Sequence, residues 1–236
     1  MGGGAVAPMA APCDPVGVLH DGRSRHDGYL RPGARPEGRP SRLAGWLALA
    51  YGLVAALGAI LAVAFGKRPL SRAPWLPTAG GEAVVASLVL GGAFAALVII
   101  ATRRLVARAG WARALHVALR PFVRSSDDAG IALMALASGV AEELFFRGFL
   151  SVVLGVWLSS VLFGALHQVR GAGRWGWAAS AFAVGLGMAV IYALTGQLAG
   201  CIAAHAAINF VNLRYLRDND PDPPPRRKLG GLLGHA

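Results

Sequence analysis

Long apolar runs separated by short basic segments dominate the middle of the chain. Residues 43–65 carry no charged side chain, and residues 83–102 form a second uncharged run. About 20 apolar residues are enough for a helix to cross the hydrocarbon core of a bilayer. Each of these two runs therefore predicts a transmembrane helix.

The apolar pattern continues from residue 129 to residue 216 with few interruptions. Gly155 and residues 195–197 are natural breaks inside long uncharged stretches, and a short basic segment at 170–174 is another. The pattern predicts four further helices, at about residues 129–154, 156–169, 175–194 and 198–216. The predicted fold class is therefore all-α, a polytopic membrane bundle of about six transmembrane helices.

Three segments flanking the apolar runs have a different composition. The composition predicts a transmembrane domain at 43–216 with a disordered basic tail on either side, at 1–42 and 217–236. The first tail is rich in Gly, Pro, Ala and Arg. Residues 103–124 alternate arginines with apolar side chains. This alternation fits a solvated basic loop, but we favour an amphipathic helix lying on anionic lipid. Asp127 and Asp128 come just before the next apolar run, and both are candidates to cap its helix.

Composition and charge exclude an ordinary water-soluble enzyme. Only 15% of the 236 residues are charged, against about 25% in a typical soluble domain. The net charge of +11 does not indicate a nucleic-acid partner, because the basic residues lie between the apolar runs, as in cytoplasmic loops of membrane proteins. Their distribution predicts a multi-pass protein with both termini in the cytoplasm. The composition, rich in Ala, Gly and Arg, favours the inner (plasma) membrane of a bacterium.

Two adjacent acids interrupt the apolar region where charge is most costly. Glu142 and Glu143 are the only acidic residues between residues 129 and 216. A charge at the centre of a bilayer costs at least ~2.5–3.5 kcal/mol, so such residues usually have a partner or a function. Glu143 and Arg147 are four residues apart, in the order that favours a helical ion pair. Glu142 has no such local partner and is the better candidate for a reactive carboxylate.

Two histidines accompany the acids in the apolar region. A single intramembrane histidine is usually a hydrogen-bonded core residue, but each of these has a neighbour four residues away on the same helix face. Phe163 precedes His167 at this spacing and can shield its ring, and Asn209 follows His205. Both histidines are therefore candidates for a polar site inside the bilayer.

The depth of these residues depends on Gly155. If the chain reverses there, Glu142 lies 13 residues before the turn and His167 lies 12 residues after it. At 1.5 Å per residue, both are about 18–20 Å below the turn. A straight helix would instead place them near opposite faces of the membrane. The hairpin interpretation predicts that the carboxylate and the imidazole meet.

Three short motifs occur in order in the last four predicted helices: EExxxR at 142–147, FxxxH at 163–167 and HxxxN at 205–209. In this order, residues 129–216 resemble the CPBP family of intramembrane proteases. That family includes the type II CAAX prenyl endopeptidases and the Abi bacteriocin-immunity proteins. The resemblance implies a helical membrane fold with a water-filled cavity and an endopeptidase that uses a glutamate-activated water.

The resemblance also implies a role for each motif residue. Glu142 would be the general base, His167 would orient the water, and His205 and Asn209 would stabilise the oxyanion. The supporting residues would be Glu143, Arg147 and Phe163. The implied partners are the lipid bilayer and a protein or peptide substrate, with lipidated proteins as one class.

Two questions stay open at the level of the sequence. We favour a metal-free mechanism without a cofactor, because no HExxH motif is present. Zinc is the alternative, with Glu142, His167 and His205 as ligands of the types that catalytic zinc uses. The second open question is the function itself. The alternatives to an endopeptidase are a non-catalytic membrane protein of the same fold, such as an immunity factor or scaffold, and a small proton-coupled transporter.

Overall fold

The computed structural model describes residues 42–221, and within this range the regular structure is helical. An eight-residue π-helix, Glu143–Leu150, joins the fourth and fifth α-helices and is called the π segment below. The α-helices are α1 (Arg42–Ala64), α2 (Gly80–Arg108), α3 (Gly110–Val123), α4 (Asp128–Glu142), α5 (Ser151–Leu166), α6 (Arg174–Thr195) and α7 (Ala199–Asp218). The predicted tail at 1–42 lies outside the described residues except for its last position. The tail predicted at 217–236 begins later, because α7 continues to Asp218, and its remainder beyond residue 221 also lies outside them.

The outward faces of the long helices are apolar. On α1, Trp46, Leu53 and Ile60 are about two thirds exposed. Large apolar patches are rare on soluble proteins and mark contact with a partner or with lipid. Four helices are long and apolar enough to cross a membrane: Gly45–Ala64, Gly80–Arg108, Asp128–Leu166 and Arg174–Thr195. The prediction of an all-α membrane bundle is confirmed, and α7 is not among these four.

The longest of these spans, Asp128–Leu166, is broken at Gly155. This residue has φ 82° and ψ 167°, a backbone conformation that is almost exclusive to glycine. A straight helix would separate Glu142 and His167 by about 37 Å. Their side chains instead approach to 3.7 Å. The chain therefore reverses at Gly155, as the hairpin interpretation predicts.

We expect Gly155→Ala to destabilise the protein by about 1–3 kcal/mol, the usual cost of a strained backbone conformation. A β-carbon at this position would contact nothing within 4 Å, so the loss would come from the backbone alone. Gly52→Ala is the matched control, since Gly52 is helical, has equally open surroundings and lacks a positive φ. Thermal unfolding in detergent micelles measures both variants. Equal melting temperatures for Gly155→Ala and wild type would contradict this account of the turn.

The basic segment between the second and fourth helices is itself largely helical. Helix α2 extends to Arg108, Ala109 interrupts it in an extended conformation, and α3 follows. Ala112, His116 and Val123 of α3 are buried, whereas Phe122 is 65% exposed. The helix interpretation is confirmed over the loop interpretation, and its placement on lipid stays a prediction. Of the two candidate caps, Asp127 is the one that caps α4, because its side chain accepts a hydrogen bond of 2.7 Å from the Gly130 amide.

The connection between α1 and α2 is bonded to the start of α7. The Arg72 amide donates to the Gly196 carbonyl at 3.0 Å, and the Leu198 amide donates to the Leu70 carbonyl at 3.1 Å. Helix α2 also approaches α7 closely, and the Gly200 amide donates a hydrogen bond to Ser87 Oγ at 3.0 Å. A side chain on Gly200 would collide with the Ser87 backbone. These contacts fix the start of the helix that carries His205.

Candidate active site

The change from α-helix to π-helix occurs between the two adjacent acids. Glu142 is the last residue of α4, and Glu143 is the first residue of the π segment. Single π-helical turns inside α-helices are rare and frequently occur at functional sites. The Glu143 side chain is fully buried, whereas the Glu142 side chain is 14% exposed. The two carboxylates therefore have different surroundings, although they are neighbours in the sequence.

The more accessible carboxylate faces both histidine rings. Glu142 Oε2 is 3.7 Å from His167 Nε2 and 3.8 Å from His205 Nε2. Both separations are longer than a direct hydrogen bond, which extends to about 3.2 Å. The structure thus brings together one carboxylate and two imidazoles from α4, the end of α5 and α7. These are the groups that general acid–base chemistry uses.

The opposite nitrogen of each ring is fixed by a hydrogen bond. His167 Nδ1 lies 2.7 Å from the Phe163 carbonyl oxygen, and His205 Nδ1 lies 2.7 Å from Glu143 Oε1. A carbonyl oxygen and a carboxylate oxygen only accept hydrogen bonds, so each Nδ1 is the donor. In the neutral form of each ring, Nε2 therefore carries the lone pair that faces Glu142.

The buried acid forms the ion pair predicted from its spacing. Arg147 Nη1 donates to Glu143 Oε1 at 3.0 Å, and Nη2 donates to the Gly185 carbonyl at 2.9 Å. The guanidinium also lies over the Phe163 ring, 4.4 Å from its centroid. Because Glu143 Oε1 also accepts from His205, the pair holds a site histidine as well as linking α6 to the π segment. The sequence did not indicate this second contact.

Asn209 is held by a residue that the motifs do not contain. Its Nδ2 donates to Ser138 Oγ at 2.9 Å, and Ser138 lies one turn before Glu142 on α4. A side-chain amide has two N–H donors, so one is left after this bond. Asn209 lies one turn after His205 on α7, which puts both residues on the same helix face.

Phe163 packs beside both histidines. Its ring centroid is 4.3 Å from the His167 ring and 6.2 Å from the His205 ring, and its side chain is 2% exposed. The Trp177 ring of α6 also lies near His167, with the ring centroids 6.0 Å apart. The aromatic rings leave His167 Nε2 directed toward Glu142 and limit the orientations of the imidazole.

Two residues beside these groups were missed at the level of the sequence. Ser138 is a small polar residue in an apolar run, and such residues are common at helix contacts in membranes. Tyr51 of α1 is half-buried and lies close to Glu142, although none of the three motifs includes it. It lies far from the motifs in the chain, so only the packing of α1 against α4 reveals it.

The donor atoms around Glu142 are spaced more widely than the ligands of a zinc ion. Ligand atoms around tetrahedral zinc at 2.0–2.1 Å are about 3.3 Å apart. The separations of 3.7 Å and 3.8 Å around Glu142 Oε2 are wider than that. Among residues 42–221, no group of three or more His, Cys, Asp or Glu side chains is arranged to hold a metal ion. The expectation of a metal-free reaction stays a prediction.

Comparison with known proteins identifies the same region that the motifs define. Residues 129–211 match the family model described as type II CAAX prenyl endopeptidase Rce1-like. Over 81 residues, or 34% of this chain, the sequence is 33% identical to the uncharacterized protein YpbD of Bacillus subtilis (strain 168). The chain covers 42% of the length of that relative. No solved structure matches the chain. The resemblance found in the sequence is confirmed for this segment.

Proposed function

We propose that this helical membrane protein is an intramembrane endopeptidase that hydrolyses a peptide bond with water activated by Glu142. Its residues 129–211 match the Rce1-like family model. One observation carries the proposal. Glu142 Oε2 faces the Nε2 atoms of His167 and His205 at 3.7 Å and 3.8 Å, and it has no protein hydrogen-bond partner among the described residues. A water molecule between these atoms has a base beside it and two further polar contacts.

In the proposed reaction, Glu142 removes a proton from this water as it attacks the carbonyl carbon of the substrate. His167, fixed through Nδ1, accepts a hydrogen bond from the water at Nε2 and orients it. The proton on Glu142 then passes to the leaving amine when the peptide bond breaks. A positioned base typically accelerates such a step by about 10²–10⁴-fold.

The developing oxyanion needs donors on its other side. Asn209 has one N–H left after its bond to Ser138, and protonated His205 donates from Nε2 while its Nδ1 donates to Glu143. Preorganised donors of this kind are worth more in a water-poor site than in bulk water. Glu143 and Arg147 hold His205 in place, and Phe163 lies beside both imidazole rings.

The substrate class follows from the location of the site. Glu142 lies inside the apolar Asp128–Leu166 span, so the scissile bond belongs to a protein or peptide at or in the bilayer. Lipidated proteins with a C-terminal prenyl group are the class that the description of the family model indicates. We propose the inner membrane of a bacterium as the location, with both termini in the cytoplasm.

Proteomic comparison of membranes from cells that produce wild type or Glu142→Ala protein tests the function directly. We expect new peptide termini in the wild-type membranes that disappear in the variant. Purified protein in proteoliposomes then cleaves the peptides identified. Absence of any such peptide, combined with Glu142-dependent proton flux in proteoliposomes, would instead establish the transporter.

Removal of metal ions gives a separate prediction. We expect cleavage by the purified protein to continue at an unchanged rate after dialysis against a zinc chelator, because the donor atoms around Glu142 are spaced more widely than zinc ligands. A zinc peptidase treated in parallel is the positive control for chelation. Loss of activity that returns when zinc is added would contradict the metal-free mechanism.

A further inference from the structure

Helices α4 and α7 face each other at the site through two successive levels of contact. At the first level, Glu142 Oε2 of α4 lies 3.8 Å from His205 Nε2 of α7. At the second level, one helical turn away on both helices, Asn209 Nδ2 donates to Ser138 Oγ at 2.9 Å. Residue numbers rise along α4 as they fall along α7, so the two helices run antiparallel. The Asn209 amide therefore lies one turn from the proposed base.

The backbones of α4 and α7 approach each other closely between these levels. An added β-carbon on Gly139 would be 3.0 Å from the Ala206 nitrogen and 3.3 Å from its Cα. Ser138 beside this contact is buried, at 5% exposure, whereas Asn209 is half-buried. The packing shields the serine from substrate and leaves the amide accessible. An effect of Ser138 on the reaction must consequently pass through Asn209.

The hydroxyl of Ser138 distinguishes the two ends of the Asn209 amide. Ser138 Oγ donates to the Ala135 carbonyl at 3.3 Å, a bond to the preceding turn that serines within helices commonly make. A hydroxyl has one hydrogen, so the Ser138 oxygen is left as an acceptor for Asn209. Only the nitrogen of the amide carries hydrogens. Nδ2, and not Oδ1, therefore lies against α4, the helix that carries Glu142.

We propose that Ser138 is a positioning residue for Asn209: it keeps the amide nitrogen on the side of Glu142, where the second N–H donates to the oxyanion. The inference rests on the proposed function, in which Asn209 stabilises that oxyanion. Without this acceptor the amide can rotate by half a turn, and its carbonyl oxygen would then repel the developing negative charge. Donors that are already oriented stabilise a transition state because they need no rearrangement during the reaction. None of the three motifs includes Ser138.

Ser138→Ala in the full-length protein, reconstituted in proteoliposomes, tests the proposal. We expect kcat to fall about tenfold, the effect of losing one hydrogen bond that orients a donor. KM is expected to stay unchanged, because the oxyanion forms only after the water has attacked. Ser160→Ala is the matched control, since Ser160 is also a buried serine and donates within α5, to the Val156 carbonyl at 2.7 Å. It is expected to keep the wild-type kcat.

The same substitution in a protein that already lacks the amide shows whether Ser138 acts through Asn209. We expect Ser138→Ala to leave the kcat of Asn209→Ala unchanged, because no amide is left to orient. Two residues that act independently would instead give a further loss of about tenfold. Turnover of the peptides identified by proteomics, measured at matched protein amounts, gives kcat for wild type, the two single variants and the double variant.

Thermal unfolding in detergent gives a second measurement that needs no substrate. Ser138→Ala is expected to lower the melting temperature by about 2–4 °C, the shift that the loss of one hydrogen bond causes in a chain of this length. In the Asn209→Ala background the same substitution is expected to cause no further decrease, because the bond is already absent. The comparison therefore reports on the hydrogen bond itself.

The two measurements separate the inference from the function beneath it. A loss of kcat that depends on the presence of Asn209 supports the role of Ser138. A wild-type kcat in Ser138→Ala overturns it, and so does an equal loss of kcat in Ser160→Ala or in the Asn209→Ala background. A shift in melting temperature that depends on Asn209, in a protein that cleaves no substrate, leaves the hydrogen bond standing and overturns the proposed protease instead.

Discussion

Glu142→Gln is expected to reduce peptide hydrolysis by about 10²–10⁴-fold, the contribution of a positioned general base. Glutamine has nearly the same shape but cannot accept the proton of the attacking water. Glu142 is not part of the buried Glu143–Arg147 ion pair, so the variant is expected to insert, fold and unfold like wild type. Turnover of the peptides identified by proteomics, measured in proteoliposomes with matched protein amounts, gives the effect.

Glu82→Gln is the control for this substitution. Glu82 is an exposed acid in the first turn of α2, so its replacement removes the same charge away from the site. We expect wild-type turnover in that variant. Wild-type turnover in Glu142→Gln would contradict the assignment of the base, and with it the proposed mechanism.

Glu143→Ala is expected to lower the free energy of unfolding by about 3–5 kcal/mol, because it leaves the buried Arg147 guanidinium without its carboxylate. It also removes the acceptor for His205 Nδ1, so activity is lost together with stability. Thermal unfolding in detergent and turnover in proteoliposomes measure the two effects. An unchanged melting temperature would contradict the structural role of the pair.

A double substitution separates the two roles of Glu143. Glu143→Leu combined with Arg147→Met replaces the ion pair with apolar groups of similar size, a change that often restores stability. We expect this protein to unfold at a higher temperature than Glu143→Ala and to remain inactive, because His205 still lacks its anchor. Recovery of turnover in the double variant would show that the contact between Glu143 and His205 is not needed.

Spacing along the sequence was sufficient to predict those contacts that are local or that follow from a single turn of the chain. The Glu143–Arg147 pair lies within a single helical segment, and the Asp127 cap joins a side chain to a backbone amide three residues later. The meeting of Glu142 with His167 required only that Gly155 reverse the chain, and glycine in an uncharged stretch is a readable signal. The helix pattern also predicted the fold class, because apolar runs of membrane length have few alternatives.

The remaining contacts depend on how separate helices pack. Tyr51 lies close to Glu142 because α1 packs along α4 and the π segment, where Gly58 lies against the backbone of Phe145, and nothing near Tyr51 in the sequence indicates this. The bond from Asn209 to Ser138 joins residues 71 positions apart. The π-helix itself has no simple sequence signature. Side-chain roles set by helix register are therefore visible in the structure and not in the motifs.

The π segment restricts which changes of chain length this protein can accept. A π-helical turn contains an additional residue relative to the α-helix on either side of it. Deleting one residue between Leu144 and Leu150 can close the segment into a regular α-helix and leave the α5 hairpin at nearly its present rotation, because the wide turn holds the additional residue. Deleting one residue from α4 has no such compensation, and it would rotate everything beyond the deletion by about 100° relative to the residues before it. Variation in length among related proteins is accordingly expected in the loops and within these eight positions, and not within α4.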